Sequence, residues 1–527
     1  MLHAFRSLPI QLTFIMSLIW IPLNNHAAQV SDDLPPVGHS RFDQLVGSAP
    51  VPYPFARLVK TLNQQMLQDL GGLPALKITL IPLGRSLQRN AGAPDFFRFP
   101  RVVAAADGNN RPGVAPLKDR LFLGYHEKSN VLEVISYNDD AGRFEFQVVR
   151  DYAADKTPQV YYARRSLCMA CHQNAAPIFA RPLWDETPAN PAIAKKLRAT
   201  RQDFYGVKIT GTDIAYFIDA ATDRANLFAV WQTMWQQGCG EGEIGDRCRM
   251  EAFSATLDYA RSKKLPADTA FPTLDRNWTS RWPHGLAIPN PDLPNRNPLD
   301  KLQFAANDPL LLRQALTTWI VPDKTAFIVG LAGMLDTAAI KQLGRRDVNA
   351  ALENLRTRGE LVARPFGPEV LMQLLAELGD RPKTIRSSKL PPQRTEPIAQ
   401  TTSGTLARFR THCASCHDTT LPHPPNFLHG SPAQIEANLD RCAARIFVRL
   451  SMAEKPESSR EISPMPPASA LLSQGIPPQI WVKSAEFFAL KHSIESRLHG
   501  KAPALLQQAY ATLPPCLTHD AYAVHAP

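Results

Sequence analysis

The sequence predicts a mainly α-helical protein with a small β region: a helical C-terminal unit joined to an N-terminal α+β region with long proline-rich loops. Three observations lead there. Pro outnumbers Gly, 47 to 27, in a chain of 527 residues, a balance that stiffens loops between short elements. One hairpin pattern stands out near residue 140, and helical periodicity with clear start and stop signals gathers after residue 300. A chain this long predicts two or three domains.

Taken in order, residues 1–28 read as a secretory signal. Arg6 gives a positive start, residues 8–23 are mostly apolar, and His26-Ala27-Ala28 places small residues before the polar Gln29-Val30-Ser31-Asp32-Asp33. An uncleaved anchor is the alternative, but the run is short for a span and has one cationic flank. No later stretch is apolar enough to cross a bilayer, so a soluble mature chain is expected. Cleavage would remove Arg6 and no acid, taking the net charge from +10 to +9. The charge is spread out, without a basic run or aromatic interleaving of nucleic-acid type.

Residues 29–165 form an N-terminal α+β region without a chemical motif. Its hairpin pairs Val131-Leu132-Glu133-Val134-Ile135-Ser136-Tyr137 with Phe144-Glu145-Phe146-Gln147-Val148-Val149 across Asn138-Asp139-Asp140-Ala141-Gly142. Gln159-Val160-Tyr161-Tyr162-Ala163 reads as a further strand. Within 301–380, Asn307-Asp308-Pro309 predicts a helix over residues 310–320, and Pro368 and Gly379 bracket another over 368–378. Residues 381–402 carry Arg381, Lys383, Arg386, Lys389 and Arg394 among four prolines with little apolar periodicity, which reads as a linker.

The chemistry lies in a repeated peptide. Cys168-Met169-Ala170-Cys171-His172 and Cys413-Ala414-Ser415-Cys416-His417 are both Cys-Xaa-Xaa-Cys-His. By composition a single chance match arises in roughly 0.3% of such chains, so two matches call for a chemical cause. Two thiols three residues apart reach the two vinyl groups of one porphyrin, and the adjoining imidazole lands under its iron. A thioredoxin-like redox pair or half a zinc knuckle would use the same thiol spacing. Neither needs the trailing His. The expectation is two covalent haem c groups, with His172 and His417 as iron ligands, in a first haem region over 166–300 and a second unit over 403–518.

Four cysteines remain: Cys239, Cys248, Cys442 and Cys516. In an oxidising compartment an even remainder suggests disulfides, Cys239 with Cys248 across a Gly-rich loop and Cys442 with Cys516 in the C-terminal region; free buried thiols are the alternative.

In residues 403–518, Leu406 and Phe409 share a helix face with Cys413, Pro464-Met465-Pro466-Pro467 follows, and a closing helix over residues 479–490 carries Trp481, Phe487 and Phe488. This order resembles the small bacterial cytochromes c, and the whole arrangement is distantly similar to the diheme peroxidases. The resemblance covers the C-terminal unit and departs from it at Gly404, one place earlier than the helix glycine of that family. It implies Met465 as the sixth iron ligand, with Met452 as the runner-up. Prolines on both sides of Met465 leave its loop little freedom to lose. Attachment of this kind in such families implies export to the periplasm.

No Met-Pro loop follows His172, and His126, His284, Met234, Met250 or no ligand at all are open for its sixth position. Two functions follow. One is electron transfer between periplasmic redox partner proteins; the other is a peroxidase- or oxygenase-like enzyme whose N-terminal haem is catalytic, with Asp185 and Glu186 as acid or base candidates.

Overall fold

The protein is described by a computed structural model. It describes residues 36–68, 72–83, 91–92, 95–109, 111, 116–165, 168, 172, 187–209, 214–264, 272–283, 286–289, 317–320, 324–361, 365–380, 390–395, 405–418, 425–456, 459–462, 464–467, 471 and 476–517. Residues 1–28, the expected signal, lie outside this set.

The N-terminal region is built on a six-stranded antiparallel meander of strands β1 (Leu76–Ile81), β2 (Arg101–Ala106), β3 (Leu121–His126), β4 (Val131–Asn138), β5 (Arg143–Arg150) and β6 (Gln159–Tyr162). The expected hairpin is β4–β5, in register from Leu132 opposite Val149 to Asn138 opposite Arg143. Its turn closes because Asn138 Oδ1 accepts the N–H groups of Asp140 and Ala141 while Gly142 takes φ +61°. The expected strand at 159–163 is β6.

Both faces of the sheet are covered, and β3 is buried along its whole length. One face packs helices α1 (Arg41–Val46) and α2 (Phe55–Gln65), burying Phe42, Phe55, Leu58 and Leu62 on Leu121, Leu123, Leu132 and Val149. The opposite face turns Phe122, Tyr137 and Phe144 toward a helical body. That body holds the long helices Ile214–Thr233 and Gly242–Ser262, with Lys324–Met334, Asn349–Thr357 and Pro368–Glu377 packed around them. Gln232 joins it to the sheet, donating to Tyr137 Oη at 2.8 Å and to the Phe366 carbonyl at 2.6 Å. Gly330 lets two helices approach closely, since a Cβ there would meet the Trp231 ring at 2.4 Å.

The expected helix over 368–378 is present, and Gly379 at φ +79° follows it. The helix expected over 310–320 is corrected in part: Thr317–Ile320 is a strand paired antiparallel with Leu286–Pro289, and residues 310–316 lie outside the described set. Two threonines, a tryptophan and an isoleucine in succession favour extended backbone over the helix start signal upstream. No single helix among the described residues is long and apolar enough to cross a membrane. Lys324–Met334 and Thr337–Leu343 are so only together, bent by 97°, and their apolar residues sit in the core.

The described end of the segment read as a linker is fastened to the N-terminal region. Tyr162, the last residue of β6, stands opposite Thr395 in a single parallel bridge and donates its N–H to the Arg394 carbonyl at 2.7 Å. Gln393 Nε2 donates to the Pro36 carbonyl at 3.0 Å and His39 bonds the Pro391 carbonyl. Prolines and charges dominate the segment, and its last described residues meet the end of the outer strand of the sheet.

The C-terminal residues fold around a core of their own. The Thr405–His417 helix packs Phe409 against a long helix, Pro432–Ser451, which starts with a capping box of Ser431 and Gln434 and has Pro432 at its first position. The closing helix is corrected to two: Pro478–Trp481 and Ala485–Arg497. Ser484 breaks it by capping the Phe487 N–H.

Candidate functional site

The second Cys-Xaa-Xaa-Cys-His peptide forms the last turn of the Thr405–His417 helix. A helix end leaves its carbonyls and side chains free to meet the following loop, and here that loop holds the histidine. His417 Nδ1 lies 2.7 Å from the Pro425 carbonyl. A carbonyl only accepts, so Nδ1 carries the proton and the lone pair is on Nε2. The Phe427 ring stacks on the imidazole, centroids 4.3 Å apart and planes 27° apart, and Leu428 N donates to the His417 carbonyl. Burial pushes the His417 pKa down to about 4, so the ring is neutral at pH 7.

The thiols beside it are not a redox pair in character. Burial, then the neighbouring Cys416, pushes the Cys413 thiol up to about 12. A dithiol oxidoreductase needs a lowered thiol pKa, the opposite displacement. Among the described residues no three His, Cys, Asp or Glu side chains gather to hold a bare metal ion.

Pairing sorts the cysteines into two sets. Cys239 is disulfide-bonded to Cys248 and Cys442 to Cys516, as the sequence suggested, while Cys168, Cys413 and Cys416 form no disulfide. Cys171 lies outside the described residues.

Both methionines singled out in this unit sit at the C-terminal end of the Pro432–Ser451 helix. Met452 follows it directly and is buried; Met465, half-buried, donates its N–H to the Arg449 carbonyl at 3.1 Å. The positive charge of Arg449 also bears on His417, which puts the anchor of the Met465 loop on the His417 side of the unit. Behind the motif, Asp418 takes Arg410 at 2.7 Å and His429 at 3.1 Å. Burial alone would raise its pKa, but the hydrogen bonds from His429 and Arg410 hold the carboxyl below its ordinary range.

At the first motif, Cys168 N donates to the Arg164 carbonyl at 3.3 Å and His172 N to the Cys168 carbonyl at 2.9 Å, so the peptide turns helically off the end of β6. Cys168 packs with Val131, Phe146, Val148 and Ala163, and the His172 ring lies 4.9 Å from that of Phe146. Arg165 donates to the Phe144 carbonyl at 2.7 Å and holds the turn to β5.

Of the sixth-position candidates, Met234 and Met250 belong to the core of the helical body, away from the cluster around Cys168. His284, Asp185 and Glu186 lie outside the described residues. His126 shares the Phe146 face of the sheet: it stands opposite Val131, and Ile135, four residues along β4, stands opposite Phe146. It is fully buried, its ring nitrogens make no hydrogen bond of ordinary geometry although the Phe99 carbonyl lies beside them, and burial lowers its pKa to about 4.

Two contributors escaped the sequence. Pro425 lies in a proline-rich loop where nothing marks which carbonyl will meet the histidine. Arg164, 1% exposed, donates from Nη1 to the Ala414 carbonyl at 2.6 Å, inside the second motif. An arginine pair just ahead of Cys168 was the available signal. No family model, curated protein or solved structure matches the chain.

Proposed function

We propose that this chain is an exported diheme c-type cytochrome that carries single electrons between partner proteins in the periplasm. The observation that carries the reading is the pairing of the Nδ1 hydrogen bond from His417 to Pro425 with two cysteines on the adjoining helical turn that form no disulfide, the Cys413 thiol kept protonated by burial. Two thiols and a neutral imidazole with a free Nε2 are the donor set that covalent haem attachment requires. The bound haem would supply a one-electron couple. The chain's part is to fix the tautomer and plane of His417 through Pro425 and Phe427, and to hold the Met465 loop through Arg449. Met465 would serve as the second axial ligand there, its soft neutral sulfur favouring the ferrous state.

At the first site, Cys168, Cys171 and His172 would hold the first haem against Phe146. His126 is the described candidate that shares that face of the sheet. A carrier with both axial positions filled is favoured over a peroxidase because electron-transfer ligands are what the described residues offer.

The test is intact mass and the alkaline pyridine spectrum of protein made in a host competent for covalent attachment. Two added haem masses with thioether-type bands support the reading; apo-polypeptide sinks it. Adding carbon monoxide and then peroxide to the holoprotein separates the functions. Inertness at both haems supports the carrier, and a fast spectral change at one supports the enzyme.

A further inference from the structure

Among the described residues, Arg164 bonds to both attachment peptides. β6 and residues 390–395 pair in parallel through Tyr162 and Thr395, so both chains leave the sheet from the same end and in the same direction. The first reaches Cys168 one helical turn after Arg164, whose carbonyl accepts the Cys168 N–H. The second enters the Thr405–His417 helix. There the Arg164 guanidinium donates to the carbonyl of Ala414, between Cys413 and Cys416, and its charge bears on Asp418, next to His417.

Arg164 is thus bonded through its backbone to one motif and through its side chain to the other. Burying a guanidinium is costly, and packing alone would be served by a neutral side chain.

We propose that Arg164 is a positioning residue that clamps the two haem-attachment peptides together, so that the two prosthetic groups titrate as one coupled pair. This rests on the diheme reading. Held close by such a clamp, the two irons would feel each other's charge directly, so reduction of one would shift the reduction equilibrium of the other.

The experiment uses the full-length holoprotein. Redox titration followed at both haems should give curves that fit only with an interaction between sites. Low-temperature electron paramagnetic resonance should show the first haem's ferric signal broadened in the oxidised protein and sharpened once the second haem is reduced. Arg164→Gln should weaken both effects and lower the potential of the C-terminal site, and Arg164→Lys should restore part of each. Wild-type protein with two haems but independent Nernst curves and no broadening overturns the proposal while leaving the diheme reading intact. Coupling that persists unchanged in Arg164→Gln overturns the role of Arg164. If that variant fails to take up haem, the wild-type measurement decides alone. Absence of haem from wild-type protein is instead the failure of the proposed function.

Discussion

Replacing Cys442 and Cys516 together by Ala tests how the C-terminal unit is held. Their disulfide links the Pro432–Ser451 helix to the end of the unit across 74 residues, whereas Cys239–Cys248 spans nine. On the chain-entropy account, closing a loop of 74 costs the unfolded chain about 15 cal/mol/K, so losing that bridge destabilises the unit by about 4.5 kcal/mol at 25 °C. The nine-residue bridge gives about 2.6 kcal/mol by the same relation. Small domains are stable by about 5–15 kcal/mol, so the first loss removes a large share. With a urea slope of about 1.5 kcal/mol per molar, the C-terminal transition should move down by about 3 M. The assay is urea titration of holoprotein, followed by far-ultraviolet circular dichroism and by the near-infrared sulfur-to-ferric-iron band. That band should fail at the lowered midpoint, because the helix stapled at Cys442 also carries the Arg449 carbonyl that holds Met465. A midpoint within about 0.5 M of the parent would refute the entropic argument.

Three further predictions concern the sites. Met465→Ala should abolish the sulfur-to-iron band and lower the potential of the C-terminal haem, while Met452→Ala should keep the band; an intact band in the first variant removes Met465 as ligand. His126→Ala should convert the first haem from low-spin to high-spin and open it to carbon monoxide, and an unchanged optical spectrum would exclude His126. Asp418 has a folded pKa held below its ordinary value, so its stabilisation is complete above the ordinary carboxylate range and is lost as pH falls through the lowered value. Asp418→Asn should therefore flatten the acid limb of the stability–pH curve below about pH 4, and destabilise the unit at neutral pH by taking the carboxylate from half-buried Arg410. An acid limb identical to wild type would contradict this.

Local signals were readable where one short window contained all the physics. The β4–β5 hairpin carried its alternation and its Asx turn in the same twenty residues, and the 368–378 helix carried Pro at one end and Gly at the other. The motif helix and both disulfide pairs were likewise visible. β2 and β3 were not, because Ala104 to Ala106 and Gly124 are poor strand formers made extended by their neighbours on both faces. The Ile214–Thr233 helix was hidden because it is buried on several sides, with polar Thr222 and Asn226 inside, and such a helix loses its apolar stripe. Thr317–Ile320 went to a strand because its partner, Leu286–Pro289, lies far back in the chain. At the site, the repeated pentapeptide announced both motifs, whereas the Pro425 carbonyl, the Arg164–Ala414 hydrogen bond and the sheet face shared by His126 and Phe146 depend on long-range contacts.

Arg394 and Thr395 bond the end of the outer strand of the sheet, and this bears on any attempt to divide the protein. Cutting near residue 400 looks safe by composition and would leave the N-terminal fragment with that bond attached. Cutting near residue 385 would remove it, baring the Tyr162 amide at the end of an edge strand that contains Val160, Tyr161 and Tyr162. Such a fragment should self-associate through that naked border, and the severed C-terminal piece would carry away Arg394 and Thr395.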